Sequence, residues 1–282
     1  MTINTVLKMN RDDRIEIYNE TVDIIKNHPF PTQKAMVDGT KFYGKKATVD
    51  YDNIPRYDTD IKVVNNDCLY EAKNLIDDGY NPCVLNMASF STPGGGVTRG
   101  SAAQEENIFR RSDIFKSLYQ FHSIGENYGV KQREERYPLE YNFGGVYTPS
   151  VTVFRGGEDV NYKLLDNVFT VSVVSVPAVK KPPIENGKIV SWAVDVIKNK
   201  IRQILDIALE NGHDSIVLSA FGCGAYGTPP EEMSKLFRNV LNSNKYKGAF
   251  KVIRFAIIDV PSTNGEHNPK GNLKPFEDAF AS

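Results

Sequence analysis

Two carboxylates stand side by side where a helix should begin, shortly after three consecutive glycines. In NMASFSTPGGGVTRGSAAQEENIFRRS, residues 86–112, an apolar strand pattern ends at Asn86, Gly94, Gly95 and Gly96 follow, and Gln104, Glu105 and Glu106 open a helical pattern. Glycines without a Cβ let backbone N–H groups approach a ligand or form an anion-holding nest. Acidic residues in a first helical turn also offset the macrodipole by roughly 0.3–1 kcal/mol, and three glycines can be a simple turn. Taken together they mean more, because a helix start that attracts anions carries carboxylates beside a bare-backbone loop. Successive helical residues point about 100° apart, so one glutamate can hydrogen-bond a ligand while the other transfers a proton. A carboxyl packed against substrate has its pKa raised by desolvation, as in glycosidase general acids.

A second strand, Gly-rich loop and helix follow in VLSAFGCGAYGTPPEEM, residues 217–233. Gly222, Gly224 and Gly227 fit G-x-G-x-x-G, a pattern that seats a diphosphate on backbone N–H groups. A dinucleotide fold wants an acidic residue about 20 positions further on. Lys247 stands there instead, and the motif follows five candidate strands rather than opening the fold, so the loop reads as a phosphate cradle and a nicotinamide dehydrogenase is disfavoured. In VVNNDCLYEA, residues 63–72, Asp67 follows a strand. It is a natural helix N-cap, and its carboxylate could also accept a hydrogen bond from the exocyclic amine of a base.

The elements that must position these residues are legible as short β-branched runs alternating with helical patterns. The runs are 61–67, 83–89, 151–155, 169–178, 215–220 and 252–260. The periodicity predicts helices over 12–27, 190–211, from Gln104 to about His122, and from Pro230 to about Asn242, with Gly212 a stop for the second. Pro- and Tyr-punctuated residues up to Asp60 read as an extension wrapped on the core, and 262–272 as a loop before a tail anchored by Phe276 and Phe280. This predicts an α/β sheet sandwiched by helices, with an N-terminal extension over 1–60 packed on a catalytic domain over 61–282 that forms one structural unit with it.

Composition narrows the function. Thirty-four Lys+Arg against 35 Asp+Glu leaves a net charge of −1, so any anion must be bound locally and sequence-specific nucleic-acid binding is not expected. Cys68, Cys83 and Cys223 form no Cys-x-x-Cys pair, and His28, His122, His213 and His267 show no ligand spacing, so no metal or other cofactor is expected. No signal-peptide h-region and no span of about 18 apolar residues occurs, so the expected compartment is the cytoplasm and no membrane partner is expected.

Asp67 after a strand, an Asn-containing strand end leading to glycines, and a late Gly-rich loop resemble, in this order, the macrodomain superfamily, whose members bind ADP-ribose. The GGG-x7-QEE run over 94–106 resembles the signature of poly(ADP-ribose) glycohydrolases. The lead-in to the glycines and YTPSVTVFR over 147–155 are most similar to the compact microbial type. The resemblance spans roughly residues 60–260 and implies a macrodomain-like mixed sheet. It also implies hydrolysis of ribose–ribose O-glycosidic bonds, with poly(ADP-ribose) or ADP-ribosylated protein as substrate and ADP-ribose as product.

Residue by residue, it makes Glu106 the catalytic acid/base, Glu105 the residue that orients ribose hydroxyls, and Gln104 a brace. Asn86 would contact the ribose at the scissile end, and Gly94, Gly95, Gly96 and Val97 the inner face of the diphosphate. Ser219, Phe221, Gly222, Cys223, Gly224, Ala225, Tyr226 and Gly227 are the candidate binding positions of the second loop, with Gly222 to Gly227 on the outer face. Asp67 would meet adenine, and Tyr226 would pack on the terminal ribose and form a lid suited to chain ends. Tyr226 stands where similar sequences carry Phe, Thr228 where Asn is common, and Met87 where an aromatic is expected. The alternatives are a mono-ADP-ribosyl hydrolase and a non-catalytic ADP-ribose-binding module. A reader would have no use for an acid at Glu106.

Overall fold

The strand Pro82–Met87 is apolar on both faces, and this decides the architecture. Cys83 and Leu85 point into one core and Val84 into another, so the strand must lie in the middle of a sheet covered on both sides. The computed structural model describes residues 9–259 and 265–281. In chain order its elements are α1 (Arg11–Asn27), α2 (Gln33–Gly39), β1 (Lys41–Tyr43), β2 (Asp60–Val64), α3 (Cys68–Asp77), β3 (Pro82–Met87), α4 (Gln104–Arg111) and α5 (Phe115–Leu118). There follow β4 (Gly145–Arg155), β5 (Leu164–Val176), a two-residue pair β6 (Ile184–Glu185) and β7 (Lys188–Ile189), α6 (Ser191–Glu210), β8 (Ser215–Leu218), α7 (Pro230–Leu241), β9 (Val252–Ala256) and α8 (Leu273–Phe280).

Seven strands form one sheet in the order β1-β4-β5-β3-β8-β9-β2. The five strands from β5 to β2 run parallel, while β4 and β1 add an antiparallel edge. One face is covered by α6, α7 and α8, whose Ile197, Ile201, Ile204, Phe237 and Phe276 are buried with Leu85 and Val174. The other carries α1, α3, α4 and α5, whose Tyr18, Val22, Leu69, Phe109 and Phe115 are buried with Val84 and Val173. The carboxyl ends of the parallel strands therefore share one edge, the place where open α/β sheets bind ligands.

Several elements differ from the sequence expectation for identifiable reasons. The helix opened by Gln104 does not run to His122 but stops at Arg111. Ser112 is extended, bonds back to the Ile108 carbonyl and pairs with Val153 of β4, while Asp113 accepts the Thr152 N–H at 2.8 Å. Pairing with β4 thus overrides helix propensity. Strand β4 begins at Gly145 rather than 151, because a bulge between Thr148 and Val151, with Ser150 at φ 51°, carries the strand past Pro149. Residues before Asp60 supply edge strand β1 as well as α1, and Tyr18, Val22 and Ile25 of α1 lie in the second core. Of the runs at 252–260 and 262–272, residues 260–264 lie outside the described residues. Phe276 is buried, and the Phe280 ring sits 4.7 Å from that of Phe255. Among the described residues no helix is long and apolar enough to cross a membrane.

Candidate active site

The loops after β3 and β8 leave neighbouring strands at the carboxyl edge, so the two Gly-rich segments face each other. In the first, Gln104 braces the end of β3: its Nε2 donates to the Leu85 carbonyl at 2.6 Å and its Oε1 accepts the Met87 N–H at 2.8 Å. Both carboxylates at the start of α4 are buried and turned toward the glycines. Glu105 Oε2 accepts the Ser89 N–H at 2.8 Å and Oε1 the Gly94 N–H at 3.0 Å. Glu106 Oε1 accepts the Gly96 N–H at 2.8 Å, while its Oε2 has no hydrogen-bond partner among the described residues. Glycine is required here on geometric grounds. A Cβ at Gly94 would lie 2.6 Å from the Phe109 ring, and one at Gly95 2.6 Å from Glu106 Oε1, both at positive φ.

Burial lifts the Glu105 carboxyl from 4.5 to about 8, against the pull of the Gly94 and Ser89 N–H groups and with the neighbouring Glu106 adding to the rise. At neutral pH the Glu105 carboxyl therefore retains its proton. Both Glu105 oxygens are engaged by main chain, whereas Glu106 keeps one oxygen open.

The second loop is anchored from behind. Phe221 and Cys223 are fully buried and the Ser219 hydroxyl bonds to the Ala256 carbonyl at 2.8 Å, so the side chains of all three are committed to the protein. Only main chain from these positions can meet a ligand. Gly222 and Gly227 have positive φ, and a Cβ at Gly222 would press on Thr228 and Ala178. Gly224 does not share this conformation: it is exposed, its φ lies outside the left-handed region, and a Cβ there would meet open space. Its smallness thus serves access and not backbone strain. Burial raises the pKa of the Tyr226 hydroxyl, and the carboxyls of Glu105 and Glu106 are near enough to add to the rise against the pull of the Phe90 N–H and the Ser89 hydroxyl.

Asp67 caps α3, its Oδ1 accepting the N–H groups of Leu69 at 2.9 Å and Tyr70 at 3.1 Å. The same oxygen pairs with Arg111 Nη1 at 2.7 Å, which leaves Oδ2 as the oxygen available to a ligand. Asn86 is fully buried at the end of β3, with Nδ2 on Ser175 Oγ at 3.0 Å and Oδ1 without a partner among the described residues. Val97 is buried under the first loop, and Ala225 is exposed on the second.

The family model for the microbial-type PARG catalytic domain, PARG being poly(ADP-ribose) glycohydrolase, matches residues 5–156. The chain belongs to that family. A poly(ADP-ribose) glycohydrolase from Thermomonospora curvata, solved with the inhibitor ADP-HPD, is 28% identical and superposes with a TM-score of 0.76 over 95% of this chain and 100% of that one. The enzyme from Deinococcus radiodurans, solved with ADP-ribose, is 25% identical with a TM-score of 0.68 over 89% of this chain and 98% of that one. No curated protein matches. This microbial-type PARG is thus a glycohydrolase with a macrodomain-like mixed α/β fold.

Sequence reasoning missed the residues that hold this PARG site in shape. Arg110 is buried on α4, donates through Nε to the Arg14 carbonyl of α1 at 3.1 Å and through Nη2 to the Ser101 carbonyl. Ser101 N–H in turn donates to the Gly96 carbonyl at 3.2 Å, so the N-terminal helix is tied to the loop that meets Glu106. His267 Nε2 lies 2.7 Å from the Cys223 carbonyl and ties the tail to the second loop. The adjacent Arg110 and Arg111 look in sequence like ordinary cations of a helix C-terminus, and only their lack of exposure reveals more.

Proposed function

We propose that the chain hydrolyses the ribose–ribose O-glycosidic bonds of poly(ADP-ribose) and releases ADP-ribose, with Glu106 as acid/base and Glu105 orienting the ribose hydroxyls. The observation that carries this reading is the buried glutamate pair facing the bare backbone of Gly94 to Gly96, with one Glu106 oxygen free of hydrogen bonds among the described residues.

A diphosphate between the two Gly-rich loops would place the anomeric carbon of the attached ribose beside Glu106, and such positioning supplies much of the rate. As the bond from that carbon to the departing oxygen breaks, the Glu106 carboxyl gives its proton to the oxygen, and oxocarbenium character develops on the ribose. The carboxylate then takes a proton from the attacking water, whose oxygen completes the hemiacetal of free ADP-ribose. The diphosphate, itself negative, stabilises the cationic carbon and orients the water, so no second carboxylate has to act as nucleophile. At the far end, Asp67 Oδ2 accepts from the adenine amine.

Tyr226 lies by the glutamates and therefore over the scissile ribose, where it keeps water other than the nucleophile out. An internal unit differs from a chain end in carrying a further unit on its adenosine ribose, so Tyr226, at the scissile end, is not the lid that favours chain ends, and choice between the two falls to the Asp67 end of the cleft. Labelled polymer incubated with the protein should give free ADP-ribose at the earliest time points with slowly shortening chains. Abundant mid-length oligomers at the outset would refute terminal attack. Release of single units from modified protein, with the polymer left intact, would refute the polymer reading.

A further inference from the structure

The proposed reaction leaves one part of the substrate without a seat. The oxygen that departs belongs to the adenosine ribose of the neighbouring unit, so the leaving group carries an adenine only a few bonds from the point of cleavage. An aromatic surface stands beside the glutamate pair. Phe90 follows Ser89, whose N–H donates to Glu105, and the Phe90 carbonyl accepts the Leu139 N–H at 3.0 Å. That bond brings the segment before β4 to the mouth of the site, where the Tyr141 ring meets Phe90 edge-on at 6.4 Å and 78°. Tyr141 is 44% exposed, an open ring at the rim of a catalytic loop.

Beneath it lies Lys200 of α6, 1% exposed, its Nζ 5.5 Å from the Tyr141 ring centroid and without a hydrogen-bond partner among the described residues. Glu140, the carboxylate that bears on it, is already engaged by the Asn142 and Phe143 N–H groups. Burial lowers the Lys200 ammonium to about 8, so it is still charged near neutral pH. A buried ammonium without hydrogen bonds is costly, and a methionine would fill the same volume under the ring. A cation behind an aromatic ring draws its π density inward, which makes the outer face a better partner for an electron-rich purine.

We propose that Phe90, Tyr141 and Lys200 form an acceptor subsite that stacks the adenine of the leaving unit. The proposal rests on the polymer reading of the active site. Base–aromatic stacking measured by alanine substitution corresponds to about 5- to 150-fold in affinity. The test compares kcat/KM on the ADP-ribose dimer with kcat/KM on the methyl glycoside of ADP-ribose, whose leaving group has no base. For Tyr141→Ala the ratio of the two should fall about tenfold. It should return with Tyr141→Phe, which restores the ring, and drop severalfold with Lys200→Met. A ratio unchanged in Tyr141→Ala, or an equal fall on both substrates, would overturn the subsite while leaving the polymer reading in place. A wild-type protein that cleaves the methyl glycoside and not the dimer would sink the polymer reading, and the subsite with it.

Discussion

Replacing Glu105 with glutamine should remove a pH dependence from stability even as it damages function. The folded carboxyl is lifted from 4.5 to about 8, first by burial. In the unfolded chain it titrates near its ordinary value. Between those two pH values the folded state holds a proton that the unfolded state has lost, so stability is fully present below the unfolded pKa, falls as pH rises, and levels off above about 8. At about 1.36 kcal/mol per pH unit, the interval corresponds to roughly 4–5 kcal/mol, an upper figure because the denatured chain retains some burial. Asp113, lifted by its own burial to about 7, slopes in the same direction and cancels in the difference between variant and wild type.

The amide cannot ionise, but it turns an NH2 group toward one of the two main-chain donors at Ser89 and Gly94. This costs about 1–3 kcal/mol at every pH. The diagnostic quantity is therefore the slope. Urea unfolding followed by circular dichroism from about pH 5 to about pH 9 should show the gap between Glu105→Gln and wild type moving in favour of the variant by several kcal/mol. A gap constant to within about 0.5 kcal/mol would refute a Glu105 carboxyl held protonated by burial. In turnover assays the same variant should lose both ADP-ribose affinity and kcat, because a carboxyl group that orients ribose hydroxyls acts in the ground state as well as the transition state.

Further substitutions at four positions probe the frame around the site. Gly222→Val should destabilise the protein by roughly 1–3 kcal/mol in thermal unfolding, since a β-branched residue is forced to positive φ against Thr228 and Ala178. Gly224→Val should unfold at the wild-type temperature yet bind ADP-ribose weakly by calorimetry, because only ligand access is blocked. Arg110→Met should lower kcat at least tenfold with a smaller change in KM, as the Ser101 and Gly96 main chain loses its tie to α1. Asp67→Ala removes an N-cap, worth about 1 kcal/mol, and strands the buried Arg111, worth about 3–5 kcal/mol. Asp67→Asn keeps the cap, so its midpoint in urea should fall between wild type and alanine.

What the sequence revealed depended on how local each signal was. Core strands such as 83–87 were legible because burial on both faces leaves an unbroken apolar run, and α6 because Val194, Ile197, Ile201 and Ile204 repeat at helical spacing. The end of α4 was not, because Ser112 is recruited by β4, about 40 residues further on. The start of β4 was hidden behind Pro149 and a bulge at Ser150. At the site, the glutamates and the glycines announced themselves by juxtaposition in the chain. Arg111 did not, since its partner Asp67 lies 44 positions away. Of the three glycines in the second motif only Gly222 and Gly227 are left-handed, since a motif gives glycine positions and not their dihedral angles.

The most direct measurement on the central claim is the hydrolysis of poly(ADP-ribose) by Glu106→Gln beside its affinity for ADP-ribose. The amide keeps the shape and the bond from the Gly96 N–H but has no acidic proton to give. The account predicts turnover reduced by at least about 10²–10⁴-fold, with ADP-ribose affinity within about threefold of wild type. Near-wild-type hydrolysis by this variant would contradict it, and would move the proton transfer to another group.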